Sequence, residues 1–391
     1  MKYEHLLVLG AGATAAVGGT FPVGRDFFSS NSTWSHSISD YPHLAVAQRK
    51  VKSLKDTSAD TTPVSLTDAW LFLDTMFKYH CATRRRSTYD YKLLRIRYAK
   101  VNVPDYLKAD YLNNHYEKVC SDMCPYFSTL PKRIYDACDQ GDRVGYFLLI
   151  AGWELKHLLY KTYHPEIEYG NLYSQMSRAL NRLPGNVAVI SFNYDIYFEI
   201  SCREQGIPLE LLPEVDSVPS RAAVPFCKPH GGWNIRHLNQ RIEPHRSLAD
   251  FVEDQRFDKL PALEERPAMI PYFSHPDEIS ELHESGYPDV GKFFLKQQER
   301  MQTLLSDARA ITSIGYSFSD THVKEIVQGI SSGRSSRGKS LLCVMKGDSE
   351  RKDIMSLWKF EEEDGITFKY CPSGFQETSI GQIVDFFNSR K

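Results

Sequence analysis

The spacing of apolar residues alternates between two periodicities along the chain. The run Leu6-Leu7-Val8-Leu9 is apolar at successive positions and leads into Gly10, Gly12, Gly18 and Gly19, which predicts a buried strand over residues 5–9 entering a glycine turn. Residues near 30–63 are rich in Ser, Thr and Asp and read as loop. From about Leu66 to Leu183 apolar residues recur at three- and four-residue spacing, in 69–79, 106–124, 144–160 and 172–183, which predicts a helical unit of about 120 residues. Strand signals then return. Residues 187–192 are β-branched and apolar on both faces, as a central parallel strand requires, and 224–228 form a second such run. Residues 234–290 are polar, Pro-rich and irregular apart from a short apolar run at 268–271. A helix over about 292–308, a strand over 310–314, a helix over about 320–330, a strand over 341–345 and a last helix over about 378–387 complete the pattern.

Strands that alternate with helices imply βαβ units and a parallel sheet. The expected fold is α/β, a Rossmann-like parallel sheet drawn from residues 1–32 and 186–391, with a large, mainly helical insertion over 33–185. A length of 391 residues suits two folded units or one domain with a large insertion. With 42% hydrophobic and 25% charged residues, a core of ordinary size forms without disulfide or metal staples.

Charge and cysteine usage narrow the classes. A formal charge of −2 gives the whole molecule no net attraction for nucleic acid or an anionic membrane. The basic run Lys78, Arg84, Arg85, Arg86, Lys92, Arg95, Arg97 and Lys100, interleaved with Tyr89, Tyr91 and Tyr98, reads as a solvated helix face or a subunit interface rather than a nucleic-acid contact. Met1, Lys2 and the first apolar run imitate a signal peptide, but Glu4 and His5 stand where a basic segment belongs and glycines break the run. No stretch approaches the roughly 18–20 apolar residues that span a bilayer. The eight cysteines form no C-x-x-C pair, and Cys120 and Cys124, one helical turn apart, have no second pair to complete a zinc site. Reduced thiols, a cytoplasmic location and no zinc are the expectation.

Four segments carry candidate chemistry. Gly10-Ala11-Gly12-Ala13-Thr14 follows a strand and opens a helix, the context in which glycines let the backbone approach a pyrophosphate; Ala15 stands where the third glycine of G-x-G-x-x-G belongs. Ser191-Phe192-Asn193-Tyr194-Asp195 ends a buried strand, where an amide and a carboxylate hold ribose hydroxyls or a water, and where Asn193 or Asp195 equally caps the following helix. Lys228-Pro229-His230-Gly231-Gly232-Trp233-Asn234 sets a histidine beside two glycines at another strand end, suited to general-base work near neutral pH. Ile314-Gly315-Tyr316-Ser317-Phe318-Ser319-Asp320 is again strand to helix, with Gly315 and Ser317 as nucleotide contacts and Ser319 or Asp320 as a cap. By contrast, Gly333-Arg334-Ser335-Ser336-Arg337-Gly338-Lys339-Ser340 has the G-x-x-x-x-G-K-S spacing in the wrong order, with a helix before it and a strand after it, and reads as a basic turn.

Taken in order, these four segments resemble the sirtuin-like (silent information regulator-like) NADase family of bacterial anti-phage defence. The resemblance implies NAD glycohydrolase activity with Asn193 and His230 as the catalytic pair. It implies that Gly10, Ala11, Gly12 and Thr14, with Gly315 and Ser317, bind the dinucleotide, and that Asp195 is a nicotinamide-side or ribose contact. Two features depart from the deacylating sirtuins: a four-cysteine zinc ribbon is absent, and the loop after the turn reads Phe21-Pro22-Val23-Gly24-Arg25 in place of a Pro-Asp-Phe-Arg stretch, with Arg25 as the candidate counterpart of the loop arginine. The same resemblance implies a gated enzyme, a homo-oligomer, and a separate sensor chain or HerA-type ATPase as partner. Alternatives within this reading are an NAD-dependent deacylase, an ADP-ribosyltransferase, or a non-catalytic sensor of NAD or ADP-ribose.

Overall fold

The computed structural model describes residues 3–18, 27–28, 38–58, 60–162, 172–183, 187–211, 223–238, 241–244, 266–269, 274–285, 288–332, 338–359 and 367–389. Its contacts divide the chain into two units, Met1–Gly19 with Pro165–Lys391 and Thr20–His164.

The first unit is built on seven strands: β1 (His5–Leu9), β2 (Val187–Ser191), β3 (Leu209–Leu211), β4 (Val224–Cys227), β8 (Ala310–Ile314), β9 (Ser340–Val344) and β10 (Thr367–Cys371). They form one sheet in the order β10-β9-β8-β1-β2-β4-β3, all neighbours parallel. β1, β8 and β9 are buried at every position, which explains why they are mostly apolar on both faces. The register sets Leu9 beside both Ser191 and Ile314, so the ends of β1, β2 and β8 share one row along the carboxyl edge. The helices of this unit are α1 (Ala11–Gly18), α8 (Leu172–Leu180), α9 (Tyr197–Glu204), α10 (Pro276–Ser285), α11 (Pro288–Asp307), α12 (Thr321–Ser332), α13 (Arg351–Trp358) and α14 (Glu377–Asn388). α8, read from the sequence as the last helix of the insertion, packs on α9 and α14. The α/β, Rossmann-like architecture expected from the alternation is what forms.

Three further strands, β5 (Gly231–Leu238), β6 (Arg241–Pro244) and β7 (Arg266–Met269), make a second, antiparallel sheet in the order β6-β5-β7. It lies where the sequence read as irregular. Its strands are rich in Arg, His, Asn and Pro, and Ile235 enters a small separate core with Ile279, Phe293 and Phe294. That leaves little alternation to detect.

The second unit is helical: α2 (Pro42–Thr57), α3 (Leu66–Arg84), α4 (Thr88–Lys100), α5 (Ala109–Ser121), α6 (Lys132–Ala137) and α7 (Gln140–Thr162), with α3 packed on α4 and α7. α2 corrects the expectation of loop over 30–63. Pro42 opens it, and His43, Leu44, Val46, Ala47, Val51 and Leu54 are buried along it. The basic run is corrected as well. Arg97 is fully buried and bonds Asp74 at 2.5 Å and Thr75 at 3.2 Å, while Lys78 reaches the same Asp74 at 2.7 Å. These two cations hold the Asp74 carboxyl far below the usual carboxylate range, against its burial. Part of what read as a surface stripe is therefore an internal ion cluster.

The G-x-x-x-x-G-K-S decoy resolves in the same spirit. Residues 333–337 lie outside the described residues, but Lys339 is buried, and its Nζ donates to the carbonyls of Leu305, Ser306 and Ala308 at 3.2, 2.8 and 2.5 Å. It closes the C-terminal end of α11, where a cation is favoured by the orphan carbonyls and the helix dipole. All eight cysteines are free thiols. Among the described residues no group of three or more His, Cys, Asp or Glu side chains is placed to hold a metal ion, and no helix is long and apolar enough to cross a membrane.

Candidate active site

The strand order switches direction at the centre of the sheet: β2, β4 and β3 lie in that order on one side of β1, and β8, β9 and β10 on the other. The carboxyl edge at such a reversal is where open α/β sheets form their ligand crevice. The turn after β1 and the segment after β8 meet there backbone to backbone. Gly10 N–H donates to Ile314 O at 3.0 Å, Gly12 N–H to Gly315 O at 3.1 Å, and Gly315 N–H to Val344 O at 2.9 Å. A Cβ on Gly10 would stand 2.5 Å from Gly315 O, and one on Gly12 2.8 Å from Gly315 Cα. Gly315 has φ +61, and a Cβ there would stand 2.2 Å from Ala13 N. The close crossing of two backbones thus accounts for these three glycines without a ligand. Above it, Ala11 is exposed, and Gly12, Gly315 and Ser317 are partly exposed.

Thr14, buried on the first helix turn, ties the second segment to the first. Its Oγ1 donates to Asp195 Oδ2 at 2.7 Å, accepts from Asn193 Nδ2 at 3.0 Å, and lies 3.1 Å from the Tyr173 hydroxyl. Asn193 is thereby held by its nitrogen, and its carboxamide oxygen is the end turned away from Thr14. Asp195 takes the helix-end part considered for it, since its Oδ1 also accepts the Tyr197 N–H at 3.2 Å at the start of α9. Burial pushes the Asp195 carboxyl above its ordinary range, while the Lys228 charge and the Thr14 and Tyr197 hydrogen bonds act to lower it.

The third segment is anchored from below. Lys228, fully buried, donates its Nζ to the Asp195 backbone carbonyl at 2.7 Å and to Glu199 Oε1 at 2.6 Å, and its N–H donates to Gln297 Oε1 at 2.9 Å. Gly232 packs closely beside it: a Cβ there would stand 2.6 Å from Lys228 Nζ and 3.0 Å from the Tyr194 carbonyl oxygen. His230 is buried, with its ring 5.2 Å from Phe192, 6.3 Å from Tyr194 and 5.8 Å from His322, centroid to centroid. Phe192 and Tyr194 flank Asn193 in the chain, so the carboxamide and the imidazole come from adjoining strand ends on one rim. Burial drives the His230 imidazole well below its ordinary range, with His322 adding to the effect.

The fourth segment closes against the second, with Tyr316 stacked on Phe192 at 4.0 Å and 8°. The Tyr316 hydroxyl donates to Asp320 Oδ2 at 2.5 Å, and burial raises the Asp320 carboxyl to about 7. Phe318 holds a left-handed backbone conformation, φ 57, with its ring fully buried against Tyr316 and Trp358.

The structure therefore brings Gly10, Ala11, Gly12, Thr14, Asn193, Asp195, His230, Gly315 and Ser317 to one edge of the sheet. Arg25 and the side chains of Trp233 and Asn234 lie outside the described residues. Sequence reasoning missed Tyr173, Glu199, Gln297 and His322. Only His322 carried a signal, two positions beyond the Gly315–Asp320 segment; the others sit in ordinary amphipathic helices.

Comparison with known proteins adds fold neighbours. No family model and no curated protein matches the chain. Among solved structures it is similar to Sir2Tm bound to a propionylated peptide, at 12% identity and TM-score 0.39 over 98% of this chain and 93% of that one. It is also similar to a sirtuin solved to address substrate affinity, at 11% identity and TM-score 0.40 over 98% and 94%. A third is a Sir2 structure on mechanism and regulation, at 11% identity and TM-score 0.39 over 100% and 94%. With TM-scores below 0.5, none of these alignments decides what this chain does.

Proposed function

We propose that the chain is an NAD glycohydrolase, cleaving NAD with water to nicotinamide and ADP-ribose. The observation that carries this reading is the placement of two groups at the switch-point edge: a carboxamide fixed by Thr14, and a buried imidazole against the residues flanking it in the chain. Ala11, Gly12, Gly315 and Ser317 at the lip contact the dinucleotide, with Thr14 behind them. Asp195 acts from the ribose side through its bond to Thr14. Asn193 holds the ribose or the attacking water through its carboxamide oxygen, and His230 takes the proton that the water gives up. Nicotinamide leaves with the electrons of its bond to ribose and loses its ring charge in doing so, so the site requires no strong acid.

An enzyme of this kind left running would drain the cytoplasm of NAD. The proposal therefore includes a gate, supplied by self-association or by a separate chain such as a HerA-type ATPase, and a role in anti-phage defence through NAD depletion. The test incubates purified wild type, Asn193→Ala and His230→Ala with NAD, with and without phage-infected cell extract, and follows nicotinamide and ADP-ribose. Each substitution is expected to lower the rate by about a hundredfold or more. ADP-ribose appearing on protein would indicate a transferase, and NAD-dependent peptide deacylation a deacylase. Binding of NAD without nicotinamide release would indicate a sensor.

A further inference from the structure

Hydrolysis of NAD releases one proton for each nicotinamide: the attacking water breaks an O–H bond as its oxygen bonds the ribose carbon, and the positive charge of the substrate leaves as that proton. His230 takes it in the reading above, on which the following rests. His230 is 1% exposed, and Phe192 and Tyr194 lie against its ring. The proton must leave this interior before the next turnover.

We propose that His322 and His275 form a proton exit, passing the proton from His230 to the surface carboxylates Glu325 and Asp277. His322, the second residue of α12, meets the His230 ring at 5.8 Å and 69°, edge to face. It is 2% exposed, and among the described residues its Nε2 has no hydrogen-bond partner. A buried imidazole nitrogen in that condition is costly to the fold unless it has another use. It also leaves the ring untethered at that nitrogen, so a turn about χ2 breaks no bond there. His275, just ahead of α10, meets the same helix one turn on from His322, through Glu325. Its own ring is 5% exposed and spans two carboxylates: Nε2 lies 3.2 Å from Glu325 Oε2, and Nδ1 lies 3.4 Å from Asp277 Oδ2. Those carboxylates are 51% and 55% exposed.

The row thus runs from a buried ring to solvent. Imidazole suits each step, since it accepts a proton at one nitrogen and releases one from the other. His230 gives its N–H proton to His322, His322 releases one to His275, and His275 releases one to Glu325 or Asp277 and then to water. One positive charge moves outward, and each ring that accepts at one nitrogen and releases from the other is left in its other tautomer, which a turn of the ring or return of a proton resets. The low proton affinity of the two buried rings favours passing the charge outward over keeping it.

The test measures nicotinamide release by full-length wild type, His230→Ala, His322→Leu, His322→Asn and His275→Gln, with and without added imidazole as a diffusible proton carrier. Both His322 variants are expected to lose about tenfold in kcat with little change in KM, and to regain it with imidazole. His275→Gln is expected to lose less and to be rescued in the same way, while wild type gains nothing from the carrier. His322→Asn keeps a polar group in the site and guards against misfolding in the leucine variant. His322 variants that turn over at the wild-type rate, or lose rate without rescue, overturn the relay while leaving the NADase reading intact. A wild type that releases no nicotinamide, or a His230→Ala variant as fast as wild type, overturns both.

Discussion

Thr14 shows how much of this site hangs on one hydroxyl. It donates to Asp195, receives the Asn193 amide and lies against the Tyr173 hydroxyl, all in the interior. Thr14→Val keeps the shape and removes the hydroxyl, leaving a buried carboxylate short of a donor and an amide short of its anchor. We expect a loss of about 1–3 kcal/mol in urea unfolding and a fall of about tenfold or more in nicotinamide release, with Thr14→Ser close to wild type. A valine variant of undiminished rate would show that Asn193 needs no tether.

Asp320 offers a second prediction, with its sign fixed by the direction of the shift. Burial raises this carboxyl from 3.8 to about 7, with Tyr316 and Lys324 pulling it down. A raised folded pKa contributes stability below the unfolded value, and that contribution is lost as pH rises through about 7. An asparagine at this position would still accept the Tyr316 hydroxyl and would not ionise. Asp320→Asn should therefore gain on wild type by about 2 kcal/mol between pH 5 and pH 8, read from paired urea titrations. A difference that does not change with pH would mean that Asp320 is not a raised, buried acid. His322, lowered by burial to about 4, acts in the opposite sense and is common to both proteins, so it drops out of the comparison.

Among elements, the sequence was readable wherever burial was two-sided or a helix stripe was long. Leu6-Leu7-Val8-Leu9 and residues 310–314 announce central strands because nothing polar interrupts the first and little the second, and α7 and α11 announce themselves by length. β3, only three residues long, and β10 stand half-exposed at the sheet's edges and gave no signal. α2 was hidden by Ser, Thr and Asp in the residues around it, although its own buried face is regular. The candidate site was legible as four fragments at strand ends. What the sequence did not convey was their wiring, because Tyr173 and Lys228 act through bonds to residues set by the fold. Nor did it reveal that Gly10, Gly12 and Gly315 are demanded by each other. Gly315→Ala tests that demand, since it meets both the left-handed φ and a 2.2 Å approach to Ala13 N. We expect a destabilisation of about 3 kcal/mol or more, whereas alanine at Gly329, where nothing lies within 4 Å, should be tolerated. Equal melting temperatures for the two variants would contradict the backbone crossing.

At the scale of the whole molecule, the site depends on a sheet whose middle strand is the earliest in the chain. β1 pairs with β2 and β8, whose residues lie far along the sequence, and all four candidate segments emerge from that trio or from β4 beside it. Such non-local pairing yields no stability until the ends are brought together, so the centre should form late and open only with the whole sheet unit. Hydrogen exchange followed by mass spectrometry makes this measurable. Amides in β1 and β8, buried throughout, should exchange only by global unfolding of the sheet unit and should speed up with sub-denaturing urea. Amides in β3 and β10, at the half-exposed edges, should exchange through local opening, orders of magnitude faster and with little urea dependence. Gly10 and Gly315 follow directly on β1 and β8, and Asn193 stands two residues past β2 beside them, so slow exchange in these strands would give the candidate segments a fixed floor. If β1 instead exchanged as fast as β10, the crevice would lack a fixed floor, and a catalytic geometry assembled on it would have to be imposed by a ligand or partner.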